Sequence, residues 1–585
     1  MKIVPLDKNS SMKKYFSLFV FILSITFANA ASTNTYDKQF DTYKGNFILR
    51  LWKQYPEWAT AIGFHKYDSV LNVPSQKKIQ QDNAFTLKEK SKLAVFNVNK
   101  LSDLNKIDYY LIDNFLNKCI WENNQLKRWE WNPADYNVGE GFAYILSENY
   151  APLKKRVSDL YMKMKNVPAY YEAAKANIKN PSVEHLNLAI DQNEAIISIF
   201  ENDFADSVKS LHFYPEKEDL YIKRAKTAAN SIRSYVQFLK DLKNPNPRSF
   251  RLGEQLYAQK FNFDIQSQYS IAQVYQAAMQ RKDYLHNEMY KITTQLWATY
   301  FDKDMPSDKL KAIKMMIDTI SYMHVKPENF KKEIEDHLPQ LASYVKNKDL
   351  VYMDPNKPLK VRKEPGYMAG VAGASMSSPG SYEKGGTAYY NVGTLEGWSP
   401  EKAESYLREY NYYILQILNI HEAIPGHYVQ LMHANKSPSM IKTIFENGAM
   451  VEGWAVYSEY MMLESGYQNS PEMWLMYYKW NLRSVCNTIL DISVHTKDMS
   501  KDDAMDLLIN QAFQQQAEAD GKWKRVTLTS VQLDSYFTGF YEILQLRDAY
   551  KTKMGNAYSV KTFSDKFLSY GSSPVKYISQ MMLGK

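Results

Sequence analysis

Two histidines and a carboxylate stand within seven residues at His421-Glu422-Ala423-Ile424-Pro425-Gly426-His427. Neutral imidazoles bind zinc, and a carboxylate beside such an ion can take a proton from water that the metal acidifies, so these residue types are those of a metal-dependent hydrolase. The spacing is unusual. In His-Glu-x-x-His the histidines share one helix face, whereas six residues carry His427 about 600° round an ideal helix, roughly 120° off register with His421. A regular helix therefore cannot offer both rings to one ion. Pro425 has no N–H to donate to the His421 carbonyl, and Gly426 accepts dihedrals that other residues avoid. Together they predict a break that swings His427 back beside His421. The alternative is a structural pair of histidines: with ten histidines in 585 residues, a chance match of this form is expected about once in a hundred such chains.

A catalytic zinc site takes three protein ligands and keeps one position open. The run Val451-Glu452-Gly453-Trp454-Ala455-Val456-Tyr457-Ser458-Glu459-Tyr460 reads as a helix with two carboxylates seven apart, hence on one face two turns apart. Glu452, 25 residues after His427, is placed to be the third ligand, and Glu459 to orient a ligand histidine. Two solvated helix carboxylates are the plainer reading. Gly453, Trp454 and Ala455 argue instead for a buried, closely packed helix, where carboxylates need partners.

The elements that must carry these groups are mostly helices. Apolar residues recur at three- and four-residue intervals from Tyr36 to about Tyr290, punctuated by prolines, as in Pro152 to Met164. Residues 351 to 398 change character: Pro365-Gly366, Gly370, Gly373, Ser377-Ser378-Pro379-Gly380 and Gly385-Gly386 interrupt helical periodicity, and Thr387 to Val392 has strand propensity. These glycines match no phosphate-binding pattern. Ser399-Pro400-Glu401 then starts a helix with an N-cap serine and proline at N1. The expected fold is mainly α: a large, two-lobed helical body with a deep cleft and a small β-sheet beside the metal-binding helix. It forms one integrated domain over residues 31–585, with 31–350 as a helical scaffold lobe and 351–585 as a catalytic lobe. Arg483, Asp491 and His495 lie in a further helical segment, and Gln532 to Gly539 precede a helix containing Arg547; spacing alone gives none of these a role.

The chain opens on a processing signal. Met12 is a candidate true start; Lys13-Lys14 form a basic region, Tyr15 to Phe27 an apolar core too short for a membrane span, and Ala28-Asn29-Ala30 a small-residue cleavage site. The expectation is an exported protein, periplasmic or secreted, with no stable membrane insertion after cleavage at residue 30 and no lipid-bearing cysteine at the cleavage site. Lys2, Lys8, Lys13 and Lys14 against Asp7 contribute +3 of the formal +8, which leaves +5 scattered along the rest and gives no indication of nucleic-acid binding. Cys119 and Cys486 permit one disulfide without implying it.

His-Glu-Ala-Ile-Pro-Gly-His-x-x-Gln at 421–430 and Glu-Gly-Trp-Ala-x-Tyr-x-Glu at 452–459 resemble the two signatures of the bacterial domain-of-unknown-function family 885, regarded as predicted metallopeptidases. The likeness extends from Tyr55-Pro56 through Ala388-Tyr389-Tyr390 to the Gln532–Arg547 segment. More distantly, the order of parts is similar to helical zinc peptidases such as angiotensin-converting enzyme and the neurolysin-like oligopeptidases. The resemblance implies His421, His427 and Glu452 as Zn2+ ligands and Glu422 as general base. It further implies Tyr389 and Tyr390 on a strand that pairs with substrate backbone, His495 and Tyr536 as oxyanion stabilisers, and Arg483 or Arg547 as the holder of a substrate carboxylate. The six-residue histidine spacing is shared with family 885 and not with the distant relatives.

The expected function is a secreted zinc peptidase acting on short peptides. A metal-dependent hydrolase of another amide or ester with the same site, and a non-catalytic helical binding protein with a degenerate site, are the alternatives. A serine hydrolase has the least support, because no G-x-S-x-G elbow is present.

Overall fold

A computed structural model of the protein describes residues 35–364, 374–383, 386–437 and 439–584. The signal-like segment and the loop residues Pro365, Gly366, Gly370, Gly373 and Gly385 lie outside these. Helices dominate, and the one sheet among the described residues has three short strands, β1 (Leu359–Lys363), β2 (Ala374–Ser377) and β3 (Ala388–Val392). The sequence reading of a mainly α protein with a small sheet holds. The strand order is β1-β3-β2, with β1 parallel and β2 antiparallel to β3.

The main apolar core draws on both sides of residue 350, running from Phe40 to Leu116 and again from Ala278 to Met582. A second core gathers Leu71 and residues from Tyr136 to Leu239. A third, around Trp121, Trp131, Tyr257 and Phe261, is completed by Ala449, Ile492 and Val531. Around it stand helices α1 (Asp103–Trp121) and α2 (Gly253–Asp264).

Five helices of the C-terminal half build the site: α3 (Tyr412–Glu422), α4 (His427–Ala434), α5 (Gly448–Glu464), α6 (Pro471–Thr496) and α8 (Asp534–Met554), with α7 (Gln516–Leu528) behind. Asn411 caps α3 by accepting from Tyr413 N and Ile414 N, and Asn447 caps α5 by accepting from Met450 N. Ser399 caps its helix as expected, accepting from Lys402 N. Helix α5 is apolar nearly all round because it is covered on all sides.

Its closest neighbour is α8, and two glycines set that approach. A Cβ added at Gly539 would meet the Ala449 carbonyl oxygen at 1.7 Å, and one at Gly453 would meet the Gly539 backbone at 2.4 Å. Alanine in a helix interior ordinarily gains about 1 kcal/mol over glycine. Here the clash is with backbone, which cannot rotate away, so Gly539→Ala is expected to destabilise by about 1–3 kcal/mol instead. A lowered midpoint of denaturant unfolding checks this, and a raised midpoint would mean that the two helices are free to separate.

Candidate metal centre

Helix α3 stops at Glu422 and α4 starts at His427, so the expected break is present. Ala423 leaves helical geometry at φ −117°, ψ −85°, and Gly426 sits at φ −72°, ψ −127°, with the Ile424–Pro425 peptide cis between them. Gly426 N donates to Ile420 O at 2.9 Å, folding the turn back on the end of α3. No side chain fits there: a Cβ on Gly426 would lie 1.9 Å from the His421 carbonyl oxygen. The carbonyl of Pro425 accepts from Trp454 Nε1 at 2.9 Å and from Ser458 Oγ at 3.4 Å. The break is therefore clamped by the same helix that carries Glu452 and Glu459.

The consequence is a cluster. The rings of His421 and His427 stand 4.8 Å apart at 89°, and Glu452 Oε2 lies 3.6 Å from His421 Nε2 and 3.5 Å from His427 Nε2. No two of these donor atoms are more than 4.8 Å apart. Ligands held at zinc distances in a tetrahedron are separated by about 3.4 Å, so the set fits a zinc ion. Glu452 Oε2 is buried and has no hydrogen-bond partner, which leaves it available to a metal ion. His421 Nδ1 is 2.7 Å from Glu459 Oε1, which also accepts from Trp480 Nε1 at 3.0 Å. That contact holds His421 with Nε2 toward Glu452, the arrangement expected of a carboxylate behind a ligand imidazole.

The charges are strongly coupled. Burial opposes a charge on His421, but the Glu452 and Glu459 carboxylates outweigh it and push the ring up to about 10. Burial likewise opposes charge on Glu452, which the two histidines hold well below the usual carboxylate range. An ion held here competes with the proton that these carboxylates favour. Half-buried Glu422 is not part of the donor set; burial raises its carboxyl, and His427 and His421 pull it down.

Tyr536 joins the cluster, its ring nearly parallel to that of His421 with centroids 6.5 Å apart. Its hydroxyl oxygen accepts from Arg525 Nη2 at 3.1 Å, and the same guanidinium nitrogen donates to Gln532 Oε1 at 2.7 Å. Trp480, Arg525 and Gln532 were not singled out from the sequence for roles at the site. Trp480 and Arg525 sit on separate helices, and nothing in their local spacing ties them to the histidines.

Other expected site residues are placed elsewhere. Strand β3 is central in its sheet, so both of its edges are already paired and it cannot add a substrate backbone. Tyr390 is buried and donates to Asn419 Oδ1 at 2.9 Å, while Tyr389 stacks under Arg362 at 4.1 Å; both are structural, correcting their assignment to substrate. His495 is buried, with Nε2 2.9 Å from Thr529 O and 3.0 Å from Val526 O. Its Nδ1 accepts from Leu252 N at 3.4 Å, so both ring nitrogens face backbone groups and neither is turned to the His421 cluster. Arg547, about 16 Å along α8 from Tyr536, is tied to Glu464 at 2.7 Å and is not a carboxylate holder at this site. Arg483 packs 4.7 Å over the Trp480 ring, behind the centre, and is committed to Glu518 at 2.6 Å. Cys119 and Cys486 are free thiols.

The comparisons with known proteins agree with one another. Residues 56–582 match the family described as bacterial protein of unknown function, DUF885. A solved structure of a candidate lipoprotein of unknown function from Shewanella oneidensis is 48% identical, covers 93% of this chain and 99% of its own, and superposes with a TM-score of 0.85. A candidate lipoprotein from Colwellia psychrerythraea, 16% identical, shares the fold at a TM-score of 0.77 over 94% of this chain and 98% of its own. No curated protein matches.

Proposed function

The chain belongs to the bacterial family DUF885, and from the cluster in its fold we propose that it is an exported zinc-dependent peptidase that hydrolyses short peptides. One observation carries the reading: two imidazole Nε2 atoms converge on the partnerless oxygen of Glu452, with Glu422 next to His421 in the chain. Zinc held by His421, His427 and Glu452 supplies a Lewis acid that acidifies water and polarises a carbonyl. Glu422 takes the proton from the attacking water and passes it to the leaving amine. Because the Tyr536 oxygen already accepts from Arg525, its own O–H is free to donate to the carbonyl oxygen as charge develops there. Glu459 and Trp480 keep the His421 ring in place throughout.

Export belongs to the same reading. It is supported by the signal-like segment ending at Ala30 and by the Shewanella relative, described as a candidate lipoprotein. No helix among the described residues is long and apolar enough to cross a membrane.

The test is direct. Purified protein is expected to carry about one zinc per chain and to cleave members of a short-peptide mixture. A chelator should abolish cleavage and added zinc restore it. Zinc-loaded protein that leaves every peptide intact but hydrolyses esters or other amides would replace the peptidase reading.

A further inference from the structure

A cavity of about 500 Å³ is bounded by α1, α2, the loop into α5 and the segment from Leu528 to Ser535 that leads into α8, and its lining residue Gln532 shares the Arg525 guanidinium with Tyr536 of the metal centre. Aromatic rings of Phe115, Trp131, Phe250, Phe263 and Phe445 form much of its wall. Its cations are all committed. Lys118 lies 2.6 Å from Asp264 and 3.8 Å from Glu122, Lys260 bonds the same Asp264 and the Ser530 carbonyl, and Arg128 lies 2.7 Å from Asp135. His185 is kept neutral by burial, which depresses it to about 4, and its ring nitrogens meet Ser182 Oγ and Leu528 O.

One charged lining group is left over. Glu446 has no hydrogen bond or ion pair among the described residues, and its side chain is open to the cavity. It stands just before α5, the helix that carries Glu452 six residues further on, which puts it at the end of the cavity nearest that ligand. Its carboxylate is exposed to the cavity, so a cation arriving there meets a charged acceptor that no other side chain occupies. The centre itself favours a cation too. Zinc brings two positive charges against the carboxylates of Glu452, Glu459 and Glu422, and Glu446 adds a fourth negative charge. Arg525, the cation on the Tyr536 wall, is engaged by Gln532 and the Tyr536 hydroxyl.

We propose that Glu446 receives a primary ammonium group of the substrate, placing the residue that bears it in the aromatic-walled cavity beside the metal centre. With the ammonium of a free amino terminus on Glu446, the first peptide bond faces the zinc ligands, and cleavage releases residues from the amino end. A lysine side chain supplies the same chemistry in an internal position. The inference rests on the peptidase reading, and its test is arranged so that the two fail separately.

Zinc-loaded Glu422→Gln protein binds peptide without turning it over, so affinity can be read by titration calorimetry. The probes are phenylalanyl-trialanine, its N-acetyl form, and N-acetyl-lysyl-trialanine, each with and without the additional change Glu446→Gln. Acetylation of the phenylalanyl peptide is expected to weaken binding about tenfold or more, and Glu446→Gln to weaken the free-amine peptide equally and leave the acetylated one unchanged. Glu446-dependent binding of the acetylated lysyl peptide assigns the ammonium to a side chain. Equal affinity for free and acetylated forms, discrimination that survives Glu446→Gln, or no binding of any probe overturns the proposal. Peptide turnover by the unsubstituted protein then shows whether the peptidase reading stands without it.

Discussion

Replacing Glu422 by glutamine is expected to leave zinc bound at full stoichiometry and to lower kcat for peptide hydrolysis by about 10²–10⁴-fold. The prediction separates two jobs that a single histidine substitution would confound. Glu422 is not among the three converging donors, so the change removes no ligand. Glutamine keeps the size of the side chain and loses only the capacity to accept and return a proton. The residual rate should also lose its dependence on the Glu422 carboxyl. In the unsubstituted protein this group must be ionised to act, so activity should climb with pH as the carboxyl ionises and flatten above that point. Elemental analysis together with kcat across the acid range checks both parts. A glutamine variant with full activity would remove Glu422 from the mechanism.

What the sequence revealed about this site was whatever depended on neighbours along the chain. Pro425 and Gly426 announce a break because their constraints act within one turn, and the seven-residue offset of Glu452 and Glu459 survives folding because α5 is an unbroken helix. The strand at Tyr389 and Tyr390 was legible for the same reason. Its place in the sheet was not. Whether a strand is central or at an edge depends on partners some 15 to 30 residues away, and here both β1 and β2 reach it. His495 and Arg547 fell away through helix length: each shares a helix with a residue at or behind the centre but stands several turns beyond it. Trp480, Arg525 and Glu446 act through space, from α6, α7 and the loop before α5. A buried aromatic, a helix arginine and a loop glutamate are common enough that only their distances to Glu459, Tyr536 and the cavity give them meaning.

The same distinction makes Gly426→Ala the more searching test of the centre, because it leaves every ligand in place and alters only the turn that brings them together. The added methyl would stand 1.9 Å from the His421 carbonyl oxygen and 2.4 Å from that of Ile420. Both are backbone atoms at the end of α3, so relief requires moving the turn or moving His421 itself. The turn cannot swing outward freely, since Trp454 and Ser458 hold the Pro425 carbonyl from α5. The strain is therefore expected to open the contact between Gly426 N and Ile420 O and carry His427 away from His421 and Glu452. Loss of one of three ligands should weaken zinc binding by at least about 100-fold, beyond the loss typical of an outer-shell change. The global fold rests on a core that reaches from Phe40 to Met582 and should persist. Competition against a chromophoric chelator reads the affinity, and far-ultraviolet circular dichroism confirms the helices. A folded Gly426→Ala protein that keeps its zinc as tightly as before would mean that this turn does not set the ligand geometry, and the metal centre would have to be sought in another arrangement of these residues.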